Sequence, residues 1–323
     1  MSESIRPEDL KQLRPLELQL KDAAKVGNLL RAEDAMNKIK ALLKPYGDHH
    51  RLLECKLWYF ETLLDANQPI IAESGFGGIL QKAGKDTRLY VEASFFLGIC
   101  LLRQKKIAKA KALLRRVLKE LNKIQSPDTR QFLQQRIIER IEEEAVLTEL
   151  LIGAEEGLLK PDSIHSESIK IVQQPEHEIY ELLGRSIPYR AFQLLREVRQ
   201  DAILQLTIPD RKLLPAPGHA SQAHYVGKRA FTVLKRVGWK TFCDPTSALF
   251  KLWSQRSPKV FNEGYFASAA AATFQNWRIG IPILAAGVAA IVMKHGAEEF
   301  CTWTRPESIM EARRSKTSKA KRN

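Results

Sequence analysis

The chain has 323 residues, which is enough for two modest domains that each bury a hydrophobic core. Its 44% hydrophobic and 27% charged residues are ordinary for a soluble globular protein. The balance of 51 Lys and Arg against 37 Asp and Glu gives a net charge of +14. This charge favours acidic partners, and it fits a lysine-rich helical surface without such a partner equally well.

The cysteines argue against a disulfide-stapled secreted domain. The four of them lie far apart and form no CxxC pair: Cys55, Cys100, Cys243 and Cys301. Three fall within apolar helical patterns, where a free thiol packs as a small hydrophobic group. Together with a charged N-terminal stretch that lacks an apolar signal core, this predicts a cytoplasmic protein in a reducing compartment.

Helical periodicity fills the first third of the chain. Residues 7–24, 27–45 and 50–65 carry apolar side chains at helix spacing, and Pro15 predicts a break within the first of these segments. Residues 68–84 continue the pattern but contain three interior glycines, each costing up to about 1 kcal/mol relative to Ala. Together with the next segment, this predicts three helical hairpins, of which the second is irregular.

The clearest hairpin pattern is YVEASFFLGICLLRQKKIAKAKALLRRVLKEL, residues 90–121. Leu97-Gly98 is followed by the small Ala110 and the large Leu114. These positions resemble a tetratricopeptide (TPR) repeat, a helix-turn-helix unit of about 34 residues. No Trp begins the unit, Leu101 stands where the family has Tyr, and no Pro closes it at the expected place.

The TPR resemblance covers residues 7–151 and is specific only over 90–121. It implies that Gly98 and Ala110 lie where two antiparallel helices approach most closely. It further implies a concave groove that binds a peptide or another protein and has no chemistry of its own. The candidate partner-binding residues are taken from the first helices of the hairpins: Arg51, Lys56, Glu61 and Glu92.

A long helix at residues 127–151 is expected to close the repeat array, with the acidic run 142–144 on its solvated face. Periodicity then fades, and a short strand at 169–172 is one interpretation of the next segment. The predicted organisation has four parts: a TPR-like domain at 1–152, a linker with helices at 153–220, a basic helical domain at 221–305 and a disordered basic tail at 306–323.

The basic helical domain combines cations with aromatic residues. Between residues 228 and 259 only Asp244 opposes the positive charge. The candidates for binding an anionic surface are Lys228, Arg229, Lys235, Arg236, Lys240 and Lys251. The aromatic side chains recur at helical spacing and are explained by core packing, and no known nucleic-acid-binding signature accompanies the charge.

Two apolar segments, residues 265–274 and 279–293, form a predicted helical hairpin. Fifteen helical residues span about 22 Å, which is shorter than the roughly 30 Å of a bilayer core. The pattern favours a buried hairpin with close helix contacts, and a hairpin that docks on or enters an anionic bilayer stays open as the alternative. The membrane-facing candidates would be Trp277, Ile283, Leu284, Val288 and Ile291.

Catalytic motifs are missing from the sequence. It contains no HExxH, GxSxG or P-loop pattern, and Gly75-Phe76-Gly77-Gly78 follows helical sequence rather than a strand. His49-His50, His177 and His295 have no second ligand pair at metal spacing, so they are interpreted as surface or helix-end residues. We expect no enzyme activity, no cofactor, no metal and no small-molecule substrate.

The sequence therefore predicts an all-α protein with TPR-like hairpins followed by a smaller basic helical domain with an apolar hairpin. The leading interpretation is a non-catalytic adaptor or scaffold that binds a protein or peptide. The first alternative is an effector on the inner face of an anionic membrane, through the apolar hairpin. The second alternative is a nucleic-acid-binding regulator.

Overall fold

The computed structural model describes residues 4–25, 27–151, 158–214, 222–245, 247–255 and 264–303, without the side chain of Lys240. Within these ranges every regular element is helical, so the predicted all-α class is correct. The expected basic tail at 306–323 lies outside the described residues. The first helices are α1 (Pro7–Lys25), α2 (Leu29–Leu43), α3 (His50–Asp65), α4 (Pro69–Lys82), α5 (Arg88–Arg103), α6 (Ile107–Leu121) and α7 (Pro127–Leu150), with a 3-10 turn at Lys44–Tyr46.

The remaining helices follow in the second part of the chain. They are α8 (Pro161–Val172), α9 (Glu176–Ser186), α10 (Tyr189–Leu204), α11 (Ile208–Leu213), α12 (Gln222–Cys243), α13 (Ala248–Ser254), α14 (Tyr265–Asn276), α15 (Pro282–His295) and α16 (Ala297–Trp303). The segment at 169–172, where a strand was one interpretation, belongs to α8. Ile164, Ser168 and Ile171 are its buried residues, and their spacing of four and three is that of a helix rather than a strand.

The described chain forms two compact units. The first contains residues 4–137 and 201–208, and the second contains residues 138–200 and 209–303. Helix α7 supplies residues to both, because the division falls between Ile137 and Ile138. The domain bounds expected from the sequence differ from these units and stay predictions.

In the first unit, each helix from α1 to α6 packs against the next, and α1 also contacts α3 while α3 contacts α5. Contacts between every second helix are what stacked helical hairpins produce. Helix α1 runs through Pro15 without the predicted break, and its buried Leu13 and Leu20 hold both parts to the same core. The N-terminus of α2 is capped by Asn28, whose side chain accepts from the Arg31 backbone N–H at 3.1 Å.

The glycines of α4 and α5 admit neighbouring side chains. A Cβ on Gly75 would lie 2.3 Å from the ring of Phe60, so the glycine that weakens α4 makes room for an aromatic contact. A Cβ on Gly98 would lie 2.7 Å from Cδ2 of Leu114 on α6. The predicted close approach of the two helices at Gly98 is therefore confirmed, and Ala110 is fully buried in the same hairpin.

In the second unit, the apolar helix α15 lies at the centre. It packs against α8, α9, α12, α14 and α16, and all its residues from Leu284 to Val292 are buried. Helices α9 and α12 approach still more closely. A Cβ on Gly184 would lie 1.8 Å from the backbone oxygen of Ala223, and one on Gly227 would lie 1.7 Å from that of Tyr180. At this crossing, backbone meets backbone with no side chain between.

The cysteine prediction is half correct. Cys55 and Cys100 are buried free thiols, and burial raises the pKa of Cys55 to about 12, which makes its thiol unreactive. The sequence argued against a disulfide framework and did not anticipate the single bond between Cys243 and Cys301. Their separation of 58 residues hid the pair in the sequence, whereas the packing of α12 against α16 brings their Cα atoms to 5.4 Å.

Candidate functional site

A pocket of about 410 Å³ lies in the first unit between the start of α5, the end of α6 and the start of α7. Its floor is apolar: Val91, Phe95, Leu121, Leu133 and Ile137. The turns before α5 and after α6 supply its rim, since α5 begins after its N-cap Thr87 and α6 ends at Leu121, before its C-cap Asn122. A concave apolar site with a few charged groups at its edge is the usual form of a ligand or side-chain pocket.

Charges of both signs surround the mouth of the pocket. The buried carboxylate of Glu92 accepts from Arg88 Nε at 2.7 Å. Lys123 donates to Glu120 at 2.7 Å, and this hydrogen bond raises the pKa of Lys123. Lys85 is exposed and makes no ion pair with another described residue. The pocket therefore accepts an apolar group, while its rim supplies donors and acceptors for the polar atoms beside that group.

Of the four residues expected to bind a partner, Glu92 alone lines this pocket. Arg51 is held by Glu17, with Nε–Oε1 at 2.9 Å and Nη2–Oε2 at 2.6 Å, and this bidentate pair raises the pKa of Arg51. Lys56 is half-buried, and burial lowers its pKa. Glu61 is 4% exposed, which leaves little of it for a partner to touch.

Sequence reasoning missed the pocket because its walls come from three elements and two turns. Val91 and Ile124 were the available signals, since both are apolar residues beside a predicted helix end. Both are half-buried and both line the pocket. Helical periodicity identifies such residues as apolar and inward-facing, but it does not distinguish residues that line an open pocket from residues packed in the core.

The acidic run 142–144 is buried, so the expectation that it forms a solvated face is wrong. Glu142 is fully buried, accepts from Arg199 and from the Tyr225 hydroxyl at 3.0 Å, and forms an ion pair with Arg229, Nε–Oε2 2.8 Å. Burying three adjacent carboxylates is tolerated only because cations and hydroxyl donors meet them. Charge alone predicts a solvated run, because Arg199, Arg229 and Arg236 come from distant parts of the sequence, whereas Arg140, which pairs with Glu144 at 2.9 Å, lies one turn earlier on the same helix.

Two residues expected on an anionic surface belong to this internal network. Arg229 binds Glu142, and Arg236 binds Glu143, with side chains only 21% and 15% exposed. Lys235 lies 6.0 Å above the ring of Trp303, where the positive charge meets the aromatic face. Much of the positive charge of α12 is therefore satisfied within the second unit.

Of the other predicted anion-binding residues, two are exposed and the third has a side chain that the structure does not describe. Lys228 and Lys251 are exposed, on α12 and α13. The side chain of Lys240 lies outside the described residues. The cationic groups of Arg229 and Arg236 face the buried carboxylates, so they add little to the exposed charge that Lys228 and Lys251 present.

The apolar hairpin is the core of the second unit. Leu284, Val288 and Ile291 are fully buried, while Trp277 and Ile283 are half-exposed. In the part of the chain that the structure describes, no helix combines the length and apolar character needed to cross a bilayer. Docking of the buried residues on a membrane would require the hairpin to leave this core.

The described residues contain no cluster of His, Cys, Asp and Glu arranged to hold a metal ion. His49 instead caps α3 by accepting from the Arg51 backbone N–H at 3.2 Å. His295, at the end of α15, lies 3.3 Å from a carboxylate oxygen of Glu176. Both histidines lie at helix ends as the sequence indicates, but His49 is buried there, so the expectation that it is solvated is wrong.

Comparison with known proteins adds nothing to this geometry. The chain matches no protein-family model, no curated protein and no solved structure.

Proposed function

We propose that this protein is a non-catalytic adaptor whose TPR-like hairpins bind a partner protein, with the pocket at the third hairpin as the contact site. The observation that carries the proposal is the pocket itself, whose apolar floor is open to a ligand beside a charged rim. A concave apolar pocket of this size with a charged rim marks an interaction site.

The packing of the first unit supports the same proposal. Helices α1, α3 and α5 contact one another in series, as the first helices of successive TPR hairpins do. Two of the three elements that form the pocket, α5 and α6, are the helices of the segment at 90–121 that resembles a TPR repeat. A repeat array with an open apolar site on its last hairpin suits recognition of another chain rather than chemistry.

The test is affinity capture by the full-length protein, followed by identification of the bound chains. Ile124→Glu places a carboxylate on the pocket wall, and Ile70→Glu is the matched control on α4, where Ile70 is 68% exposed and does not line the pocket. We expect a partner that wild type and Ile70→Glu retain and Ile124→Glu loses. Equal capture by all three proteins, or capture of nucleic acid or lipid instead of protein, would reject the proposal.

A further inference from the structure

Helix α6 carries the most concentrated positive charge that the first unit exposes. Residues 105–123 hold eight Lys and Arg against one acidic residue, Glu120. The buried face of the helix is apolar, formed by Ala110, Leu114, Val117, Leu118 and Leu121. The charges are therefore confined to the outward side of an otherwise ordinary amphipathic helix.

We define the basic row as the exposed residues Lys105, Lys109, Arg116, Lys119 and Lys123. Within the helix, residues 109, 116 and 119 fall inside a sector of about 80°, because each residue advances about 100°. Lys105 and Lys123 continue the row just beyond the two helix ends. From 109 to 123 the row extends about 20 Å at the helical rise.

Much of this charge is not neutralised by the protein. Lys105, Lys109 and Lys119 form no ion pair with any described residue. Arg116 donates to the Tyr90 hydroxyl at 3.1 Å, a neutral partner that leaves its charge uncompensated. The situation is the reverse of that in α12, where buried carboxylates meet the arginines.

The row ends at the pocket. Lys123 belongs to the row and also lines the pocket mouth, next to Glu120 and Ile124. The charges of the rim balance, so the rim alone favours neither an acidic nor a basic ligand. The basic row beside it favours an acidic ligand, because only a negatively charged ligand would be attracted along α6.

We propose that the partner presents an acidic segment with one apolar anchor: the anchor fills the pocket and the carboxylates that adjoin it lie along the basic row. An extended peptide covers about 20 Å with six or seven residues, so the acidic stretch needs about that length. This inference rests on the proposed function and specifies the chemistry of its partner.

The described surface favours a peptide over the other anionic partners. None of the large exposed hydrophobic residues lies between 105 and 123, so α6 offers a bilayer nothing to insert. Tyr90, the aromatic residue that contacts the row, is half-buried with Arg116 over its ring, which leaves little of the ring to stack on nucleic-acid bases. A row of cations that leads into an apolar pocket fits an acidic peptide with an anchor, because such a ligand uses both features.

The probes are fluorescein-labelled peptides in which one leucine adjoins a run of glutamate and serine, with the leucine at either end. Their binding to the full-length protein is measured by fluorescence anisotropy at several salt concentrations. Control peptides replace leucine by serine, or glutamate by lysine. We expect binding that needs both leucine and glutamate and weakens as salt rises, because exposed charges are screened.

Matched variants locate the site. Lys109→Glu with Lys119→Glu should weaken binding about tenfold, since two exposed charge contacts become repulsive. Lys11→Glu with Lys44→Glu changes the net charge equally at exposed positions outside the row and should leave binding within about twofold. Thermal unfolding of each variant checks that the fold is kept, which such surface positions allow.

Equal weakening by both double variants would overturn the basic row, and equal binding of the lysine peptide would overturn the acidic partner. Row-dependent binding of a short DNA duplex or of phosphatidylserine–phosphatidylcholine vesicles, without peptide binding, would assign the row to that ligand instead. If the peptides fail while a captured partner still depends on Ile124, this inference falls and the proposed function stands. If the peptides fail and no partner is captured, both fall.

Discussion

Replacing Glu142 by Gln tests the buried ion network of the second unit most directly. The substitution keeps the shape and one acceptor oxygen of a side chain that is fully buried. It removes the negative charge that faces Arg199 and Arg229, whose side chains are 19% and 21% exposed. The variant therefore keeps two partly buried guanidinium groups but loses the carboxylate between them.

The expected cost follows from this geometry. Removing one member of a buried ion pair costs about 3–5 kcal/mol, because the remaining charge stays desolvated and unpaired. The two arginines retain about a fifth of their exposure, so water offsets part of the penalty. We expect Glu142→Gln to lower the free energy of unfolding of the second unit by about 3 kcal/mol.

The measurement is urea unfolding followed by tryptophan fluorescence. Four of the five tryptophans, Trp239, Trp253, Trp277 and Trp303, belong to the second unit and report its unfolding. Glu149→Gln is the control, since Glu149 is half-buried on the same helix and should cost less than about 0.5 kcal/mol. If Glu142→Gln cost less than about 1 kcal/mol, or no more than the control, the network would not stabilise this unit as argued.

Three further predictions concern the second unit, and the first of them uses a control variant in α4. Gly227→Ala should lower the free energy of unfolding by about 1–3 kcal/mol because its Cβ would meet backbone atoms. The control Gly78→Ala, whose Cβ would meet nothing within 4 Å, should raise the free energy of unfolding by up to about 1 kcal/mol, and thermal unfolding would show both changes. Cys301→Ser opens a loop of 58 residues to Cys243 and should cost up to about 4 kcal/mol, and dithiothreitol should then shift the melting temperature of wild type but not of the variant. Burial and the nearby Glu142 carboxylate raise the pKa of Tyr225. The stability that Tyr225 contributes is therefore intact below about pH 10 and is lost as the pH rises above it. Tyr225→Phe should reduce this alkaline loss of stability, as measured by urea unfolding at several pH values.

The helices of the first unit were readable from the sequence because their signals are local. The pattern over residues 90–121 predicted one hairpin, and the structure contains α5 and α6 with Gly98 at their contact. Pro15 misled because a proline inside a helix usually breaks or kinks it, whereas here the buried Leu13 and Leu20 on either side hold α1 continuous. Periodicity and small residues at fixed spacing determine such elements without knowledge of the rest of the chain.

The second unit was harder to predict because its decisive contacts join residues far apart in the chain. Glu142 and Glu143 look solvated until the arginines that face them are known, and Arg199, Arg229 and Arg236 follow 57 or more positions later. Arg140, which pairs with Glu144 from one turn away, gave no sign by itself that the whole run is buried. Gly184 and Gly227 likewise carry no sign in the sequence of the backbone contact that they share. The candidate site was equally hard to predict, since Glu92 was the one residue of its lining that the sequence singled out, and the sequence did not single out the basic row of α6.

The bond between Cys243 and Cys301 turns the apolar hairpin into part of a covalent ring. Both α14 and α15 lie within that ring, so each end of the hairpin is tethered to α12 or α16. The bond holds the two ends of the ring together, with the Cα atoms of Cys243 and Cys301 5.4 Å apart. The hairpin can therefore move away from α12 and α16 only as a closed loop, whereas reduction would let the two ends separate.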